Sequence, residues 1–171
     1  MPISMSSASL PIFKAMLGNL SHILDKAQAH AQARKFDASA LTGFRLAPDM
    51  LPFTRQITIA CDAAKIGVAR ISGLEAPKFE DTETTFEELK ARIQKTLDWL
   101  ATVPADKLDG TEDKDITFPV GRDATRTMKA EAYLKHWVLP NFFFHVTTAY
   151  AILRHNGVEL GKGDYLAGAR A

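Results

Sequence analysis

Leu139-Pro140-Asn141-Phe142-Phe143-Phe144-His145-Val146-Thr147-Thr148-Ala149-Tyr150-Ala151-Ile152-Leu153-Arg154-His155-Asn156-Gly157 is the stretch that decides the fold. Its apolar run carries Asn141, His145 and Thr148 at i, i+4 and i+7, a spacing that puts polar side chains on one helical face. A pocket between helices is commonly built this way. Helical character begins near Lys129 and runs to about Asn156, and Gly157 stands where a C-cap is expected. Pro140 should break or kink this segment, because the residue before a proline is biased away from helical dihedrals. Phe142, Phe143 and Phe144 point in successive directions, so not all three can face one core.

Working outward, three more helices are predicted. Leu10, Phe13, Leu17, Leu20, Leu24 and Ala27 recur at three- and four-residue steps, which predicts a first helix over about Leu10 to Ala33. Pro11 is tolerable there only in the first turn. A second helix should start near Pro48 and end before Gly73, with Phe53, Ile57, Ala60/Cys61, Ala64, Val68 and Ile71 as its buried stripe. A third opens at Thr85, where Thr85 and Glu88 match a capping box. Its stripe is Phe86, Leu89, Ile93, Leu97 and Leu100, and Pro104 closes it. Between the third and fourth helices, Ile116 to Val120 followed by Gly121-Arg122-Asp123 fits a short hairpin at an edge. The expectation is a single all-α domain over residues 1–171: a four-helix bundle with a long connection between helices three and four. The tail from Val158 should pack on the bundle or on a second subunit through Tyr165 and Leu166.

Composition narrows the function classes. The 171 residues carry 21 basic and 20 acidic side chains, a net charge of +1, with no run of like charge. That balance removes the electrostatic argument for a nucleic-acid partner. No apolar segment approaches the roughly 20 residues of a membrane span, and the N-terminus lacks the basic start and apolar core of a signal peptide. A single cysteine, Cys61, excludes an internal disulfide and multi-thiolate metal sites. The natural reading is a cytoplasmic protein without a membrane partner.

Chemistry-bearing residues are few. His145 can pair with a polar residue four positions away to ligate a divalent metal, but its partner here is Asn141, a weak ligand for zinc or nickel. On the second helix, Asp49, Phe53 and Gln56 stand at i, i+4 and i+7. Asp49 reads best as a first-turn carboxylate facing the helix dipole. Gln56 adjoins the apolar stripe, and a buried amide needs a partner, which Asn141 or His145 can supply. His22 reads as exposed, and His30, His136 and His155 read as surface or packing residues. There is no nucleophile elbow, phosphate loop or dinucleotide fingerprint, and Cys61 has no adjacent base.

At these residues the chain resembles a known group. The run Leu139 to Tyr150, then Leu153-Arg154-His155-Asn156-Gly157 and Gly161-Lys162 with Asp164-Tyr165-Leu166, is similar to a bacterial domain family of unknown function. Arg45-Leu46-Ala47-Pro48-Asp49-Met50 with Pro52-Phe53 and Gln56 fits the same family, so the likeness covers nearly the whole chain. That family resembles the wider DinB/YfiT-like metalloenzyme superfamily. The resemblance implies an up-down-down-up four-helix bundle, often dimeric, with a site between helices. The superfamily site has one histidine on helix two and a His-x3-His pair on helix four, holding zinc or nickel. Some members use a low-molecular-weight thiol to transfer or isomerise substrates. Counted back from Leu153-Arg154 and Gly157, the second histidine of the pair falls on His145, the first on Asn141 and the helix-two histidine near Gln56.

The functional expectation is therefore a small-ligand pocket built by Gln56, Asn141 and His145, with Asp49 and Thr148 beside them. It would be a degenerate metal site with no cofactor required. One alternative is a metal-dependent transferase or hydrolase using zinc or nickel on His145. Another is a non-catalytic dimeric scaffold. A homodimer through the Phe142 to Phe144 surface is expected.

Overall fold

The computed structural model describes residues 3–168. Among these residues seven α-helices, α1 (Leu10–Arg34), α2 (Ser39–Thr42), α3 (Phe53–Ser72), α4 (Phe86–Thr102), α5 (Ala130–Tyr133), α6 (Leu139–His155) and α7 (Lys162–Ala167), flank one hairpin. α1 buries the predicted stripe and adds Met16, Ile23 and Ala31. It ends at Lys35, which takes a left-handed conformation at φ 57° and donates its N–H back to the last turn.

α3 begins later than its sequence suggests, at Phe53 rather than Pro48. Pro48 and Pro52 each restrain the residue before them to extended backbone, so the helix cannot start until both are passed. Pro52 is extended at ψ 167°, and the Phe53 N–H is anchored by the Phe44 carbonyl at 2.8 Å. Gly73, at φ 75°, closes α3 by donating its N–H to Ala69. Both halves of the α4 capping box form: the Glu88 N–H donates to Thr85 Oγ1 at 3.2 Å, and the Thr85 N–H to Glu88 Oε2 at 3.0 Å.

Two departures from the sequence reading matter for the site. The fold is mostly helical but not strictly all-α. β1 (Asp115–Val120) pairs antiparallel with β2 (Ala124–Lys129), with Ile116 opposite Met128 and Phe118 opposite Arg126. Only Ile116 and Phe118 of this hairpin are buried, on one face of β1, which is the half-buried pattern of an edge ribbon. Second, Pro140 does not break the last helix. Leu139 keeps helical dihedrals, φ −62° and ψ −47°, and the chain runs from α5 into α6 through a π-turn at Leu134–Val138. Pro140 stands in the first turn of α6, and the wider turn before it accommodates the ring and the missing N–H.

The long helices close a ring of contacts: α3 packs on α6 and α4, and α1 packs on α4 and α6. α7 lies on α1. There the Asp164 carboxylate accepts from Lys26 Nζ at 2.9 Å and the Gly161 N–H at 2.8 Å, and meets His22 Nε2 at 3.2 Å. His22, read as exposed, is half-buried in this clasp. The Gly161 N–H and Lys26 together hold the Asp164 carboxyl down at about 2. Tyr165 packs edge-on against Tyr150, while Leu166 is exposed. No helix among the described residues is long and apolar enough to cross a membrane.

The candidate site between α3 and α6

The α3–α6 seam brings Gln56 and His145 together, 89 positions apart in sequence. Gln56 is 1% exposed and His145 8%, so each polar group needs a partner. Gln56 Nε2 donates to the Leu51 carbonyl at 2.9 Å. Only the NH₂ end of an amide can face a carbonyl, which turns Oε1 toward His145 Nδ1 at 2.7 Å. Oε1 can only accept, so Nδ1 carries the proton and donates. In the neutral ring, Nε2 then keeps a free lone pair. Burial first, and the nearby Arg55 charge second, push the His145 pKa down to about 4. The site thus holds a neutral imidazole in one tautomer.

The other candidates are placed differently. Thr148 is buried, but its hydroxyl donates to the Phe144 carbonyl of its own helix at 2.7 Å. Asn141, one turn before His145, is half-buried and lines a neighbouring groove. Asp49 is not a first-turn residue. It is exposed in the turn before α3, where the Met50 N–H donates to Ala47, three residues short of the helix cap. The prolines that delay α3 also carry Asp49 off the face shared by Phe53 and Gln56.

The groove itself has a volume of about 270 Å³ and runs along α3 and α6 beside the tip of β1. Ile59, Ala63 and Ile66 form its apolar wall, and Tyr133, Trp137 and Asn141 line the opposite side. Within it, α3 and the π-turn come very close at Gly67, where an added Cβ would run into Val138 Cγ1. Arg70 closes one end and donates Nη1 to the Tyr133 hydroxyl at 2.9 Å.

Behind the groove, α3 meets a buried ion cluster absent from the sequence reading. Arg92, 2% exposed, donates to Glu83 at 3.0 Å and to Asp62 and Asp81, each at 3.1 Å. Lys65 pairs with Asp62 at 2.9 Å, and Phe79 lies under both cations. The spacing Leu89, Arg92, Thr96 did place Arg92 on the inner face of α4, but a charge on that face is not read as core. Cys61 lies against this cluster, and burial pushes its thiol up to about 12, as expected of an inert core cysteine.

Among the described residues, no three His, Cys, Asp or Glu side chains converge as metal ligands. Gln56 presents its amide oxygen to His145 rather than to a shared centre. The donor set therefore does not fit a three-histidine metal site.

These features define a helical domain with an inter-helix groove lined by Asn141 and, outside that lining, a buried neutral histidine paired with Gln56. The sequence matches the family described as domain of unknown function DUF1993 over residues 5–166, and the chain belongs to that family. It is also similar to the crystal structure of a DinB family member protein from Shewanella denitrificans, at 41% identity and a TM-score of 0.87. That match covers 94% of this chain and 90% of the other. No curated protein matches.

Proposed function

We propose that the protein binds a small organic ligand in the α3–α6 groove, on an up-down-down-up bundle whose ancestral metal site has been replaced by an amide–imidazole pair. The observation that carries the ligand reading is the groove itself, whose apolar residues Ile59, Ala63 and Ile66 stand with Tyr133, Trp137 and Asn141; the Gln56–His145 hydrogen bond at 2.7 Å, outside the groove lining, supports the replaced metal site. Rigid polar groups beside an apolar groove are the ordinary make-up of a ligand site. The groove is smaller than the roughly 300–1,000 Å³ of drug-sized pockets, so the ligand is small.

An NMR screen of small apolar fragments tests this reading. Binding should move amide signals of α3 and α6 around Ala63 and Asn141. Ala63→Phe, which fills the groove, should abolish binding while the spectrum stays folded. Fragments that bind that variant equally well, or move signals elsewhere, refute the reading. The metal-dependent alternative draws on the resemblance and on the free His145 Nε2. Stoichiometric zinc or nickel in untagged protein, lost in His145→Ala, would establish it and displace the metal-free reading. Self-association through α6 is supported by Phe144, which is 55% exposed beside His145.

A further inference from the structure

We infer that the groove ligand carries a carboxylate on an apolar body, with the carboxylate held by Arg70. This rests on the groove being a ligand site. Arg70 is half-buried in the last turn of α3. Among the described residues it has no carboxylate partner, whereas the other two cations of α3, Arg55 and Lys65, are each paired with one. Its side chain makes one hydrogen bond, to Tyr133 Oη at 2.9 Å, and lies 6.0 Å from the Phe118 ring centre. A guanidinium has five N–H donors in a planar fork that matches a carboxylate. Most of that fork is unused at the groove end.

Other polar groups on the groove can donate as well. Tyr133 accepts from Arg70, so its own hydroxyl proton is free to donate. Trp137 and Asn141 line the groove, and neither the indole N–H nor the side-chain amide makes a hydrogen bond among the described residues. Asp62 is the carboxylate on the groove, and its Oδ1 already accepts from Lys65 and Arg92, which compensates the charge that would repel an anion. Arg70 and the Tyr133 hydroxyl, beside Ile59, Ala63 and Ile66, suit an anionic oxygen group on an apolar body.

The test uses phenylacetate and its neutral isostere phenylacetamide as probes, read on the Trp137 indole N–H signal. Phenylacetate should shift that signal saturably, and phenylacetamide should bind at least about ten-fold more weakly. Arg70→Gln should bring phenylacetate down to the affinity of phenylacetamide and leave phenylacetamide unchanged. Arg70→Lys should restore part of the difference, which separates loss of charge from loss of fold. Equal affinity of the two probes, or an unchanged phenylacetate affinity in Arg70→Gln, overturns the carboxylate inference while the groove reading stands. If neither probe moves Trp137 and the fragment screen finds no groove binder, both fall together.

Discussion

At His145 the decisive feature is which nitrogen holds the proton. The Leu51 carbonyl orients the Gln56 amide, and the amide in turn assigns the imidazole. Truncating Gln56 to Ala should strand the Nδ1 proton in a nearly closed space and destabilise the fold by about 1–3 kcal/mol. Gln56→Glu instead places a carboxylate against that proton, which favours the charged ring. The His145 titration, followed by imidazole NMR, should then move upward from about 4; a titration left near 4 would show that residue 56 does not face the ring. The wild-type pH dependence has a definite sign. The ring titrates near 6.5 when unfolded and near 4 when folded, so as pH falls the unfolded chain takes the proton first. The stability contributed by neutral His145 is whole above pH 6.5 and is lost progressively as pH falls toward 4. Urea midpoints between pH 7 and 4.5 should therefore fall more steeply for wild type than for His145→Gln, and parallel curves would contradict a buried neutral ring. That Asn141 and His145 share one face of α6 was legible because helical spacing is local. Arg70 was not: in a last turn it reads as a cation answering the helix dipole, and only the hairpin and π-turn, distant in sequence, turn it into the end of a groove.

At the level of elements, two contacts set the shape of the site. Gly67 lets α3 lie against the π-turn, and the clash of an added Cβ with Val138 makes Gly67→Ala an overpacking change of about 1–3 kcal/mol. Val138→Ala in the same chain should recover part of that loss. A double-mutant cycle with no coupling would place the strain elsewhere. Arg92 ties the loop through Glu80, Asp81 and Glu83 to α3 and α4. Arg92→Met leaves Asp62, Asp81 and Glu83 facing one another without their shared cation. The expected cost is about 3 kcal/mol, at the low end for a broken buried pair because Asp62 and Asp81 remain partly hydrated. Amide exchange should accelerate first in residues 79–83, whereas uniform acceleration would mean the cluster does not act as a local tie. The capping box, the α1 and α4 stripes and the Gly73 stop follow from neighbouring residues and could be read directly. The π-turn could not, since Pro140 announces a disturbed helix without saying whether the chain kinks or widens its turn. The choice falls to Leu134 and Val138, which are both buried and so keep the segment pressed on the core.

Across the whole molecule, the helical ring was visible as four amphipathic stripes, and the turn residues Gly121-Arg122-Asp123 marked the hairpin that completes the groove. What the stripes did not show is where apolar surface remains uncovered. Phe142 is fully buried and Phe143 half-buried, but Phe144 projects outward, and Leu51, whose carbonyl orients Gln56, is exposed near the same end of the seam. Phe144 and Leu51 are exposed apolar side chains that a partner could cover. A second copy is the simplest occupant, because a two-fold interface lets each Phe144 meet the same patch on its twin. In sedimentation velocity the wild-type chain should run as a dimer, and Phe144→Glu should shift it to monomer with its thermal unfolding of monomer little changed, since residue 144 is outside the core. Phe142→Glu is the contrasting case: it buries a charge against Phe13, whose ring lies 5.0 Å away, and should unfold the chain rather than dissociate it. A wild-type monomer, or a dimer that survives Phe144→Glu, would remove α6 as the interface.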